Sequence, residues 1–241
     1  FRRSRGLGDV YKRQVILIQI TKKFMDQDDK KNLVAEAALD YIQSGDILGI
    51  GSGSTVNKFI NLLGSVKNKI EACVSSSQKS TELLHKMKIP VIDLKECDRI
   101  PLYIDGADEA NSHKELIKGG GGALTREKIL AQSSEKFICI IDESKVVDKL
   151  GKFPLPIEVI QLAQSKISLE MIKIGGRPVY RNQFITDNGH IIIDVHDLDI
   201  NEPMALEKKI NHMPGVITNG IFSIRSADEI LIATDSGVIK R

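Results

Sequence analysis

Short apolar runs alternate with helical stretches through the first two-thirds of the chain, and this alternation restricts the fold more than any other feature. Runs at 47–50, 70–74, 91–94, 102–104 and 136–141 read as buried strands. Helical patterns fall between them at 28–44, 56–63 and 80–88, and again after a run of four glycines. Strands separated by helices imply right-handed crossovers and a parallel sheet. The predicted class is therefore α/β: a Rossmann-like, mostly parallel sheet flanked by helices. In open sheets of this kind ligands bind at the carboxyl edge of the strands.

After residue 153 the pattern changes. A helix is predicted over 157–174, broken by Gly175-Gly176-Arg177-Pro178. Runs at 179–186 and 190–196 flank Asp187-Asn188-Gly189, a hairpin signal. A helix over 202–212 and a strand over 216–224 complete a smaller α+β unit of split βαβ, ferredoxin-like character. The runs 229–233 and 238–240 return to the first sheet. The expected domains are thus 25–153 plus 226–241, and 154–225. Residues 1–24 match neither and are expected to be an extraneous or disordered basic tail, with Met25 a candidate initiator. Seven basic residues against Asp9 leave +6 there, so the other residues carry −4 of the net +2. A mildly acidic body gives no support for nucleic-acid binding. No apolar run approaches the roughly 20 residues that span a bilayer.

Four loops carry the chemistry. Gly119, Gly120, Gly121 and Gly122 cannot be there for packing; they let a ligand approach bare amides, and they feed a helix whose free N–H groups favour an anion. Lys118 precedes them and Glu127 follows. Gly51-Ser52-Gly53-Ser54-Thr55 links a strand to a helix, but Val56 stands where a dinucleotide fingerprint needs glycine, and the lysine of a P-loop is missing. Such a turn suits a single phosphate. Asp105-Gly106-Ala107-Asp108-Glu109 ends the strand at 102–104, and Asp142-Glu143-Ser144-Lys145 ends the one at 136–141. The histidines lack metal-ligand spacing, and the three scattered cysteines read as reduced thiols. Hydroxyls, amides, lysines and carboxylates together suit a phosphorylated polyol and proton transfer by one carboxylate. Taken alone, Glu127 is equally a helix-surface acid beside Arg126 or Lys128.

In order and spacing these motifs resemble type A ribose-5-phosphate isomerases. Gly151-Lys152-Phe153-Pro154-Leu155-Pro156, the Gly175 motif and Thr186-Asp187-Asn188-Gly189 match as well, and the likeness runs over about residues 26–240. The resemblance implies an aldose–ketose isomerase of the pentose phosphate pathway, interconverting ribose 5-phosphate and ribulose 5-phosphate through an enediolate. Glu127 matches the base. Lys118 and the amides at Gly119–Gly121 match groups that stabilise the oxyanion, and Asp105 and Asp108 match residues that hold hydroxyls and assist ring opening. Ser52, Gly53, Ser54, Thr55, Gly106, Ala107 and Lys145 match substrate and phosphate loops, and Lys31 a further phosphate lysine. Ser52 departs from a common threonine but keeps the hydroxyl. No cofactor, metal, nucleic acid or membrane partner is implied, and a cytoplasmic homo-oligomer, dimer or tetramer, is. The same superfamily holds coenzyme A transferases with a nucleophilic glutamate and non-catalytic sugar-phosphate sensors, so turnover without a covalent intermediate is the discriminating property.

Overall fold

The computed structural model describes residues 25–241; the expected tail at 1–24 lies outside the described residues. The first half runs α1 (Gln27–Leu39), β1 (Asp46–Ile50), α2 (Ser54–Leu62), β2 (Ile70–Ser75), α3 (Gln78–Lys86), β3 (Ile100–Asp105), β4 (Glu109–Ala110), β5 (Leu116–Ile117), α4 (Leu124–Ser133) and β6 (Ser134–Asp142). The second half runs β7 (Leu155–Val159), α5 (Gln164–Lys173), β8 (Arg177–Tyr180), β9 (Ile191–His196), α6 (Pro203–Asn211), β10 (Val216–Asn219), β11 (Ile221–Phe222), β12 (Glu229–Thr234) and β13 (Gly237–Lys240).

Six strands form one sheet in the order β13-β12-β6-β3-β1-β2, parallel throughout except for the β12–β13 hairpin at one edge. Alternation along each strand divides two cores. On β6, Ile138 and Ile140 join Leu48, Ile50, Val34 and Phe59 on the face covered by α1 and α2. Phe137, Cys139 and Ile141 face the other way, toward Tyr103, Leu130 and Ile230. A separate antiparallel sheet, β10-β7-β9-β8, arises from a β-α-β-β-α-β chain order and packs Ile157, Ile193 and Val195 against Ile167, Met171 and Ile210. The two-part α/β architecture therefore agrees with the expectation.

Several expected elements are corrected. The first helix ends at Leu39 rather than at residue 44, and Asp40 caps it. Tyr41 and Ile42 still pack against the first core, whereas Gln43 and Ser44 are exposed. Residues 91–94 form no strand: Val91 makes one isolated bridge to Cys73, and Leu94–Glu96 is a 3-10 turn. Residues 157–159, expected to begin a helix, belong to β7, whose residues are all buried; β-branched Ile157 and Val159 suit that central position. The run 216–224 is not one strand. It breaks at Gly220, sending β10 to the antiparallel sheet and β11 to a third, three-stranded sheet β11-β5-β4 that was not anticipated. Gly220 permits the break because a Cβ there would lie 2.2 Å from Lys118 O. The arms of the predicted hairpin are shorter than expected, but its tip closes as foreseen, with Gly189 N donating to Thr186 O at 2.9 Å.

Candidate active site

Three of the four loops leave the carboxyl ends of β1, β3 and β6. The fourth, the glycine run, leaves β5 of the small sheet and enters α4. Together they enclose a cavity of about 140 Å³. Ser52 to Thr55, Gly106, Ala107 and Asp108 line one side, and Lys118, Gly119 to Gly121 and Glu127 the other. Lys31 and Lys145 flank it, as does Gln27, for which the sequence offered no signal.

The floor is a buried ion cluster. Lys118 is 3% exposed; its Nζ lies 2.7 Å from Asp105 Oδ2 and 3.2 Å from Glu127 Oε2, and donates to Gly106 O at 2.6 Å. Asp105 is fully buried and does not itself line the cavity. It accepts from Ser52 N (3.0 Å), Gly106 N (2.7 Å) and the Tyr103 hydroxyl. Tyr103, two residues earlier on β3, points to the same face, a spacing that could have revealed it in advance. Gly51 permits this contact, since a Cβ there would fall 1.9 Å from Asp105 Cγ.

Glu127 is 3% exposed, in the first turn of α4. The helix-surface alternative therefore does not apply: Arg126 turns to Asp187 and Asn188, and Lys128 to Glu207. Ser52 donates to Glu127 Oε1 at 2.6 Å, whereas Oε2 lies at ion-pair distance, 3.2 Å, from Lys118. Burial, reinforced by repulsion from Asp105 and opposed by Lys118 and the Ser52 hydroxyl, raises the Glu127 carboxyl to about 7. Burial alone would lower the Lys118 ammonium, but attraction to Asp105 and Glu127 outweighs it, so its pKa rises and it stays charged. A carboxylate poised near neutrality beside a permanent cation suits proton abstraction that generates a neighbouring oxyanion.

The glycine loop does not present all its amides alike. Gly120 N is taken by Asp108 Oδ2 at 2.8 Å; among the described residues, nothing takes the amides of Gly119 or Gly121. Gly122 has φ +83°, and Phe184 covers it so closely that a Cβ would lie 2.2 Å from the ring. Gly122→Ala is expected to destabilise the fold by about 2 kcal/mol through overpacking and left-handed strain. A thermal melt should show a fall of roughly 5 °C. Opposite, α2 begins at Gly53 with no side-chain cap among the described residues, leaving its first N–H groups without a side-chain partner there. Lys30 is occupied by Glu143 (2.6 Å) and Asp235 (2.7 Å), whereas Lys31 and Lys145 carry no ion pair among the described residues.

A near-neutral carboxylate and a buried ammonium at the carboxyl edge of a parallel sheet, with cations waiting at the rim, define a class: isomerases that shuttle a proton on an anionic sugar. The comparisons narrow it. Residues 72–237 match the family model for ribose 5-phosphate isomerase A (phosphoriboisomerase A). Ribose 5-phosphate isomerase A from Neisseria gonorrhoeae is similar at 46% identity over 90% of this chain and 97% of that one, with a TM-score of 0.89. The Methanocaldococcus jannaschii enzyme shares 37% over 90% and 99%, at 0.84. A D-ribose-5-phosphate isomerase solved with phospho-erythronic acid shares 38% over 90% and 99%, at 0.87. The chain belongs to the ribose 5-phosphate isomerase A family and interconverts ribose 5-phosphate and ribulose 5-phosphate.

Proposed function

We propose that Glu127 is the base of this isomerisation, and the observation that carries the reading is its burial beside Lys118, with Oε1 held by Ser52 and Oε2 3.2 Å from the Lys118 ammonium. On the open-chain aldose, Glu127 takes the proton from C2 and returns it to C1, while the hydroxyl proton on O2 passes to O1 so that C2 becomes the carbonyl. Between these steps the negative charge spreads over the two oxygens of the enediolate. Lys118 and the amides of Gly119 and Gly121 oppose that charge, and such preorganised donors contribute about 3–4 kcal/mol each to barrier lowering in acyl transfer. Asp108 anchors the glycine loop and, lining the cavity, is placed to hold sugar hydroxyls. Asp105 fixes Lys118 and Ser52 from beneath, so it supports ring opening through them.

The phosphate is bound by the open start of α2, by the hydroxyls of Ser54 and Thr55, and by Lys31 and Lys145. Lys145→Ala should raise KM for ribose 5-phosphate about tenfold, with kcat within about twofold, because a charge-assisted contact contributes about 1.5–3 kcal/mol. Steady-state kinetics would show it; an unchanged KM would place the phosphate elsewhere. With protein chains supplying all the charge stabilisation, the reading needs no metal or cofactor. Turnover of ribose 5-phosphate followed in excess chelator tests this directly: undiminished rates support it, and loss restored by a divalent cation refutes it. Phospho-erythronic acid, found with the similar enzyme, is expected to inhibit this one competitively, its carboxylate occupying the place of the enediolate.

The domains are read as 25–153 with 226–241, and 154–225, since the third core draws almost wholly on the latter segment. Among the described residues, no helix is long and apolar enough to cross a membrane. The protein is read as a cytoplasmic homo-oligomer, a dimer or tetramer without nucleic-acid partners; its mass in solution by light scattering tests the assembly.

A further inference from the structure

The glycine loop is not held by its own sheet alone; a segment of the second unit grips it. Arg181, just beyond β8, is forked onto Asp194 of β9, with Nε to Oδ2 at 2.8 Å and Nη2 to Oδ1 at 2.5 Å. Its remaining nitrogen, Nη1, donates to Gly119 O and Gly120 O, each at 3.2 Å. The guanidinium lies over Phe184, 5.3 Å from the ring centroid, and Phe184 in turn covers Gly122. A trans peptide points its N–H opposite to its C=O. Holding the carbonyls of residues 119 and 120 outward therefore turns the amides of 120 and 121 inward. The first of these meets Asp108, and the second belongs to the cavity wall.

We infer that Arg181 is a positioning residue for the isomerisation, acting from the second unit to fix the two peptide planes that aim the Gly121 amide at the enediolate oxyanion. It touches no substrate. Asp194 sets its fork, and the side chain is mostly enclosed, with the bond to Gly119 O partly buried and that to Gly120 O at the surface. Only the bidentate planar group can bind a carboxylate along one edge and two carbonyls along another; lysine cannot reproduce this. The inference rests on the proposed oxyanion cradle and concerns how that cradle is held in shape. A loosened loop would still bind the ground-state sugar phosphate through α2 and the lysines, but would stabilise the enediolate less well.

The test compares Arg181→Ala and Arg181→Lys with the parent and with Glu127→Gln, using ribose 5-phosphate turnover, phospho-erythronic acid inhibition and thermal melts. Both arginine variants should lose about ten- to a hundredfold in kcat, a fraction of what deleting an oxyanion donor costs. Their KM should stay within about threefold, and affinity for the acid should fall in step with kcat/KM. Added guanidinium at millimolar concentration should restore part of the turnover of Arg181→Ala and none of that of Glu127→Gln. A parent-like kcat, a loss confined to KM, or a rate loss without weaker inhibition by the acid would overturn the inference. Should Arg181→Ala fail to fold, Asp194→Asn, which frees the fork but leaves the arginine, must show the same kcat loss. Activity surviving in Glu127→Gln would instead defeat the underlying assignment of the base, so the two failures are distinguishable.

Discussion

Glu127→Gln should abolish isomerisation, lowering kcat by at least about a thousandfold, while ribose 5-phosphate still binds with a similar dissociation constant. The amide keeps the shape and can still accept the Ser52 hydroxyl, but it cannot take a proton from carbon. Calorimetric binding alongside turnover separates these effects; a variant that keeps even a tenth of parental activity would move the base elsewhere. In the parent, the carboxyl raised to about 7 by burial must lose its proton to act. Consequently kcat/KM should rise with pH through about 7 and level off above it. Ser52→Ala removes a bond that lowers this pKa, so the acid limb should move upward. The sign for stability is opposite. A carboxyl whose folded pKa is raised contributes stability below its unfolded pKa and loses it as pH rises through 7. At pH 8 Glu127→Gln should therefore melt no lower than the parent, a common relation between catalytic groups and stability.

Lys118→Met carries the second large effect, on both fold and rate. The side chain keeps its length, but Asp105 and Glu127 are left facing each other in a buried site without their cation. Removing one partner of a buried ion cluster typically costs about 3–5 kcal/mol. Thermal melts at pH 8 should fall by roughly 10 °C. Lowering the pH should narrow the gap, because protonation of the Glu127 carboxyl, already raised by burial, removes its repulsion with Asp105. Turnover should drop by more than about a hundredfold even where the variant is folded, since the oxyanion loses its nearest charge. An equal melting temperature at pH 8 would show that the cluster is not electrostatically coupled to the fold.

Much of this was legible beforehand because it is local. The parallel sheet follows from apolar runs spaced by helical patterns, and each of the four loops announces itself by residues that pack poorly. What misled was local too. Residues 157–159 carry no mark separating a buried strand from a helix start, and only the neighbours β9 and β10 decide it. The run 216–224 looks continuous, yet Gly220 lies against Lys118 O and must change direction there. Gln27 and Arg181 reach the site from distant segments, and an ordinary polar residue gives no sign in one dimension of where it will reach.

The amino-acid order by itself determined the fold class, the edge of the sheet where the cavity opens, and a vocabulary of hydroxyls, amides, lysines and carboxylates, because period and glycine content act over a few residues. Tertiary structure alone decided which of those groups share a site and in what state. Asp105 went beneath the cavity and Glu127 into its wall, while Arg181 came across from the second unit. Ionisation is set by burial and by charges a few ångströms away, and those distances exist only once strands separated by dozens of residues have been brought side by side.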